Sequence, residues 1–304
     1  MRVFIAQAAA AIPVALLTVI PASADPFFFS TGDVTNSIAT ATRPGSASKF
    51  EIESADDFVL TAPTAINSAT FTGLLTGGAT TANIGEVRVE IYRVFPNDSN
   101  VGRTSGPPTF STPQVPTRVN SPSDVEFADR DTSPPPGNLT FTTTPLGTFS
   151  SALNSVQPGG IHPTPGQTTG GDGPIPGQEV EFDVNFTTPF DLPADHYFFV
   201  PQVEITTASG EFLWLSGTRP IVPPGTPFPQ GFTDLQSWTR DTFLDPDWLR
   251  VGTDIVGAGT FNEAFTLTGQ TIVPEPASVA LLAIGLVGLG ALCRRRRAAR
   301  MLYV

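Results

Sequence analysis

Alternation of apolar and polar residues is the feature that most constrains the fold of this chain. Between Val87 and Val94, and again between Val180 and Phe186, apolar and mostly polar residues exchange at each step. A period of two is that of a β-strand with one buried and one solvated face. Helical spacing is nearly absent. The same pattern predicts further strands at residues 50–60, 66–75, 197–205, 211–215, 248–251 and 261–267.

Residues 97–178 are rich in Pro, Gly, Ser and Thr, including the run Pro134-Pro135-Pro136-Gly137. Proline cannot donate to a sheet, so this stretch leaves little room for continuous strands. We predict a long insertion containing one short hairpin, formed by residues 139–141 and 146–153. Eight to ten short strands without a helix favour an all-β fold, a two-sheet β-sandwich of the jelly-roll kind.

The N-terminal segment has the layout of a secretory signal peptide. Arg2 precedes an apolar stretch from Val3 to Ile20, and small residues, among them Ala22 and Ala24, stand just before Asp25. Signal peptidases cut after small residues in such a context. Residues 1–24 are therefore predicted to be removed, and the exported body begins at Asp25.

The C-terminal segment, residues 273–304, has three parts. Pro274-Glu275-Pro276 precedes an apolar run from Ala277 to Cys293, and the basic block Arg294, Arg295, Arg296 and Arg297 follows. As a helix, the apolar run reaches roughly 26 Å, near the lower limit for crossing the hydrocarbon core of a bilayer. Arginines stay on the cytoplasmic side during insertion. We predict a single transmembrane helix at residues 277–293, with the body on the opposite side of the inner membrane.

This tripartite tail resembles the PEP-CTERM sorting signal of Gram-negative bacteria. The resemblance covers about residues 272–304 and depends on the motif, the span, the basic block and the terminal position occurring together. It implies that an exosortase, an integral-membrane cysteine transpeptidase, recognises and cuts the tail. The two prolines also fix φ and remove two backbone donors, so this peptide stays extended and open to a processing enzyme.

The body, residues 25–272, is acidic and lacks cysteine. Up to residue 273 it has 27 acidic against 10 basic residues, a net charge of 10 − 27 = −17. Nucleic acid and anionic membrane surfaces need a basic face, so they are excluded as partners. The only cysteine, Cys293, lies in the tail, which rules out an intramolecular disulfide and cysteine-based zinc or thiol chemistry in the body.

Two groups of residues in the body are candidates for binding. Asp241, Asp245 and Asp247 alternate within a proline-containing turn and offer oxygen ligands for Ca²⁺, although a solvated acidic loop is the alternative. Trp214, Trp238 and Trp248 are candidates for a platform on which sugar rings stack, with core packing as the alternative. No other cofactor is expected.

Evidence for catalysis is sparse. His162 and His196 are the only histidines, and neither has the setting of a catalytic base. Asp56 and Asp57 point to opposite faces of a strand and make a poor carboxylate pair. We expect a non-enzymatic surface or extracellular-matrix protein of the envelope, biofilm or exopolysaccharide, as the resemblance implies. The alternatives are a calcium-dependent or tryptophan-mediated carbohydrate-binding module and a secreted hydrolase.

Overall fold

The computed structural model describes residues 24–102, 120–134, 136–147, 150–161, 168–218, 236–272 and 285. Sixteen strands lie within these ranges: β1 Pro26–Ser30, β2 Val34–Ala41, β3 Ile52–Val59, β4 Thr64–Leu75, β5 Ile84–Arg93, β6 Ala128–Asp131, β7 Leu139–Pro145, β8 Ser151–Ala152, β9 Asn154–Val156, β10 Ile175–Pro176, β11 Gln178–Leu192, β12 His196–Ile205, β13 Phe212–Gly217, β14 Trp238–Asp241, β15 Leu249–Arg250 and β16 Phe265–Thr271. A 3₁₀ turn at Thr81–Asn83 and a π-helical turn at Val251–Val256 are also formed.

The strands form two large sheets and one small one. In the eight-stranded sheet β4 is central: β11 pairs along one side of it, and β16 and β13 share the other. β7 extends this sheet beyond β11, β1 beyond β16, and β2 with β9 beyond β13. The six-stranded sheet has the order β15-β14-β3-β12-β5-β6, and β8 pairs with β10 separately.

Phenylalanine rings join the two large sheets. Phe199 of β12 stacks on Phe265 of β16, with ring centroids 5.0 Å apart and planes 10° apart. Within the eight-stranded sheet, Phe71 stacks on Phe182 at 4.9 Å. All four side chains are at most 2 % exposed and belong to one apolar cluster that draws on both sheets. The all-β, two-sheet sandwich predicted from the sequence is confirmed.

The strongly alternating segments are strands, as predicted. Residues 87–93 of the first predicted segment lie within β5, with Val94 just beyond its end, and residues 180–186 lie within β11. Strands were missed where alternation is weak, namely β1, β2 and β14. The final strand was placed too early, because Phe261 precedes β16 and the strand runs on to Thr271.

The Pro- and Gly-rich region carries five short strands, and the predicted hairpin is wrong. β7 pairs with the long strand β11, so residues 139–141 extend the eight-stranded sheet. Ser151–Ala152 pair with β10, and β9 runs parallel to β2. The hairpin fails because both of its predicted arms find partners in distant segments, which local sequence cannot show.

The residues from Asp25 to Ile272 form one compact unit whose first and last strands pair with each other. The Thr271 amide donates to the Asp25 carbonyl at 2.9 Å, and the Ile272 amide donates to the Pro63 carbonyl at 2.7 Å. Both ends of the unit are thus fixed at one edge of the eight-stranded sheet.

Several sequence predictions lie outside the described residues. They concern the signal peptide up to residue 23 with Ala22, the motif Pro274-Glu275-Pro276, the block Arg294–Arg297 and His162. Of the predicted transmembrane helix only Gly285 is described, and it is helical. Among the described residues, no helix is long and apolar enough to cross a membrane.

Candidate functional site

Charged side chains gather on the outer face of the six-stranded sheet. Successive side chains of a strand point to opposite faces. Glu53 of β3 therefore lies beside its register partner Arg240 of β14, and Glu90 and Tyr92 of β5 point to the same side. A cavity of about 360 Å³ opens here. Its other lining residues are Glu51, Arg88, Asp124, Val125, Glu126, Thr242 and Asp245.

Arg240 is the centre of this cavity wall. Its Nε and Nη2 atoms donate to the two oxygens of the Glu53 carboxylate, the second at 2.8 Å. Nη2 also donates to the Tyr92 hydroxyl at 2.9 Å, and Nη1 lies 3.0 Å from an Asp245 oxygen. The guanidinium stacks over the Trp248 ring, 4.4 Å from its centroid. A bidentate pair with a ring beneath it holds a buried arginine in one position.

The Tyr92 hydroxyl connects two carboxyl groups. It lies 2.5 Å from a Glu53 oxygen and 3.2 Å from a Glu90 oxygen. Glu53 of β3 and Glu90 of β5 therefore both contact the same hydroxyl group. The three side chains form one buried network, since each is at most 6 % exposed.

The protonation of the two glutamates differs. Burial opposes the charge on Glu53, but the adjacent Arg240 guanidinium outweighs it and lowers the pKa of Glu53. Burial, together with the charges of Glu53 and Glu51, raises the pKa of Glu90 well above its usual range. The two carboxyl groups therefore differ in their tendency to bind a proton: the Arg240 guanidinium lowers the pKa of Glu53, whereas burial raises the pKa of Glu90.

The predicted calcium ligands are not brought together. Asp245 lines the cavity. One oxygen of Asp241 accepts from the amides of Phe243 and Leu244, at 3.0 and 2.9 Å, and so holds the turn. Asp247 is 1 % exposed. No group of three or more His, Cys, Asp or Glu residues suited to a metal exists in the described ranges. Asp241 is held by backbone amides and Asp245 lies 3.0 Å from Arg240, so at least these two carboxylates have different partners.

The three tryptophans do not form the predicted sugar platform. Trp214, Trp238 and Trp248 are at most 1 % exposed. Their rings pack in the interior, and the indole N–H groups of Trp214 and Trp248 donate to the Ala264 and Ser123 carbonyls. A ring must expose a face to stack on a sugar, so we correct this prediction to the alternative of core packing.

Asp56 and Asp57 point to opposite faces of β3, as strand alternation predicts. Asp56 accepts from the Glu263 amide at 2.6 Å, and Asp57 lies 2.6 Å from His196 Nε2. The contact between Asp57 and His196 was not foreseen. It joins β3 to the neighbouring strand β12, and no sequence signal marks which strands are neighbours.

The sequence also failed to mark the main members of the cavity. The alternating pattern of β5 assigns Glu90 to a solvated face, and no pattern marks Glu53 or Arg240 as members of a site. Their role depends on three strands that are distant in sequence. The covering residues Asp124 and Asp245 come from loops, and β14 was not predicted. The polarity of the face was predictable, but its burial was not.

The fold is an acidic all-β sandwich, and a cavity rich in carboxylates opens on its six-stranded sheet. Residues 273–297 match the family model of the PEP-CTERM protein-sorting motif. The chain therefore carries a PEP-CTERM protein-sorting motif near its C-terminus. The match covers the tail alone. No curated protein and no solved structure matches the chain.

The motif indicates an exported protein that an exosortase processes. It also implies a location at the cell surface or outside the cell. The net negative charge of the body agrees with such a location, because it keeps an exported chain soluble.

Proposed function

We propose that this protein is a non-enzymatic component of the cell surface or extracellular matrix, associated with the envelope, biofilm or exopolysaccharide. The proposal rests on the sorting motif at residues 273–297, which follows the compact acidic body in sequence. The apolar run and the arginine block act as a temporary anchor in the inner membrane, and exosortase removes them after export.

The engaged state of Glu53 supports a structural role for the charged cavity. Both of its carboxylate oxygens accept from Arg240, and one also lies by the Tyr92 hydroxyl. Three of the about four lone pairs of this carboxylate are thus occupied, which leaves it little capacity to act on a substrate. Structural ion-pair networks shift pKa values as strongly as active sites do.

Mass spectrometry of the protein isolated from its own cells tests the proposal. We expect the mature chain to start at Asp25 and to lack everything C-terminal to the Pro274-Glu275-Pro276 region. The matched control is a chain with Pro274 and Pro276 both changed to Ala, which should keep its tail. A wild-type protein that retains Arg294–Arg297 would refute the sorting function.

A secreted hydrolase is the second candidate function, and the opposite pKa shifts of Glu53 and Glu90 favour it. Paired carboxyl groups with pKa values pushed apart are the acid and base of many hydrolases. Turnover of a polysaccharide that is lost in Glu90→Gln and retained in Glu126→Gln, at the rim of the same cavity, would establish this alternative. Our proposal predicts no turnover by the wild type, by Glu90→Gln or by Glu126→Gln.

A further inference from the structure

A second cleft lies on the outer face of the other, eight-stranded sheet. Thr72 of β4 pairs with Glu181 of β11, and Thr70 of β4 pairs with Thr266 of β16. Residues directly opposite each other in a ladder have Cβ atoms about 5 Å apart on the same face. The four side chains therefore form one polar floor, above which lies a cleft of about 300 Å³.

Residues that follow the ends of two strands form the walls of the cleft. Asp33 and Val34 come from the connection after β1 and the start of β2, and Leu146 follows the end of β7. Ser30, at the end of β1, adds another hydroxyl. The cleft thus combines hydroxyl and carboxylate groups with apolar contacts from Val34 and Leu146. Its volume is at the lower end of the range of ligand pockets, about 300–1,000 Å³.

The hydroxyl groups of the floor retain capacity for a ligand. The Oγ1 atoms of Thr70 and Thr266 lie 2.6 Å apart, so one donates to the other. Two hydroxyl groups carry two protons and only one is used in this contact, which leaves one donor and several lone pairs. Glu181 and Asp33 add carboxylate acceptors.

The charge of the lining selects the class of ligand. No Lys, Arg or His lines the cleft among the described residues, and its two charged groups are both acidic. Phosphate, sulfated sugars and uronic acids are repelled by such a lining. A neutral sugar ring has hydroxyl donors at its edge for the carboxylates and C–H groups on its faces for Val34 and Leu146.

We propose that this cleft binds a neutral polysaccharide, with Glu181 and Asp33 accepting hydrogen bonds from sugar hydroxyl groups and the threonines of the floor completing the contacts. The site is separate from the tryptophans and aspartates considered above. The inference deepens the proposed matrix function and rests on it for the presence of polysaccharide around the protein.

Affinity electrophoresis of the full chain in detergent tests the proposal. The gels contain dextran, soluble starch, galactomannan or xyloglucan as neutral probes, and carboxymethyl-dextran as an anionic probe with the dextran backbone. We expect retardation by at least one neutral probe and none by carboxymethyl-dextran. Glu181→Ala and Thr70→Val should each weaken binding about tenfold, because each removes a hydrogen-bonding group from the cleft.

Thr142→Val is the matched control. Thr142 lies on the outer strand β7, opposite Asp183, on the same sheet and outside the cleft lining. The Thr142→Val protein should bind like the wild type, and thermal melting should show that all variants are folded. Absence of retardation by every neutral probe, or equal retardation of all variants, overturns the inference. Tail removal is measured separately by mass spectrometry, so failure of one proposal is distinguishable from failure of the other.

Discussion

At the scale of single residues, Arg240 shows how a charge is accommodated in an interior. Its side chain is 5 % exposed, yet it has the Glu53 carboxylate, the Tyr92 hydroxyl and the Trp248 ring as partners. Removing one partner of such a pair leaves the other charge buried and uncompensated, which is far more costly than losing an exposed pair.

We predict that Arg240→Met destabilises the protein by about 3–5 kcal/mol, because Glu53 is then left buried without its cation. Arg93→Met is the control: the Arg93 side chain is 31 % exposed and pairs with Asp98, which is 25 % exposed, so its loss should cost less than about 1 kcal/mol. Urea unfolding midpoints measure both changes. Equal midpoints for the two variants would contradict this prediction.

Glu263 makes stability depend on pH. Burial raises the pKa of Glu263 from about 4.5 to about 8, despite a hydrogen bond from Ser237 at 3.0 Å. Between these values the folded state holds a proton that the unfolded state has released. Stability from this group is thus fully present below pH 4.5 and is lost as pH rises towards 8, by up to about 1.4 kcal/mol per pH unit. Burial raises the pKa of Asp56 as well, which acts in the same direction.

We therefore predict that the urea midpoint falls between pH 5 and pH 8, and that Glu263→Gln makes this fall shallower. Glutamine keeps the shape and removes the titration. Thr142→Val, on the exposed face of β7, removes no titratable group; it serves as the comparison and should leave the slope as it is. A slope that is identical in Glu263→Gln and the wild type would refute the assignment.

At the scale of elements, the eight-stranded sheet depends on a close approach at its centre. Gly73 of β4 pairs with Val180 of β11 on one side and Trp214 of β13 on the other. A Cβ atom on Gly73 would overlap the Leu213 carbonyl and the Phe212 ring. Only glycine permits the two strands to pack here without displacement.

We predict that Gly73→Ala destabilises the sandwich by about 1–3 kcal/mol through overpacking. Gly147→Ala is the matched control, because a Cβ atom there would have no neighbour within 4 Å. Thermal unfolding followed by circular dichroism compares the two. If Gly73→Ala had the same melting temperature as the control, the neighbouring strand β13 would be able to shift without loss of stability, which would contradict this prediction.

At the scale of the whole molecule, pairing of β1 with β16 closes the body. Phe29 of β1 packs against Phe58 and Phe265, with ring centroids 6.2 and 5.4 Å away. The first strand of the body therefore contributes to the core that joins the two sheets. Removal of the predicted signal peptide and of the sorting tail would leave this closure intact, since it lies between Asp25 and Ile272.

We predict that a chain restricted to residues 25–272 unfolds in a single cooperative transition, with tryptophan fluorescence and far-ultraviolet circular dichroism giving the same midpoint. A chain that starts at Thr31 loses Phe29 and should be less stable by about 3–5 kcal/mol. Two separate transitions in the 25–272 chain would show that the two sheets are not one folding unit.

Local sequence was sufficient to predict the strands with strong alternation and the sorting tail. Alternation in β5 and β11 reflects a local requirement, since each strand must present one apolar face to the core. The tail from Pro274 to Arg297 is likewise read from contiguous residues, and its family match covers the same stretch.

The remaining features depend on contacts between segments that are distant in sequence. These contacts buried the tryptophans, gave Asp241 and Asp245 different partners, and placed Arg240 against Glu53, 187 residues away in sequence. Strand pairing decides which side chains meet, and a strand has the same alternation whichever neighbour it has. The charged cavity and the cleft on the eight-stranded sheet therefore follow from the order of strands in the sheets, which no local pattern encodes.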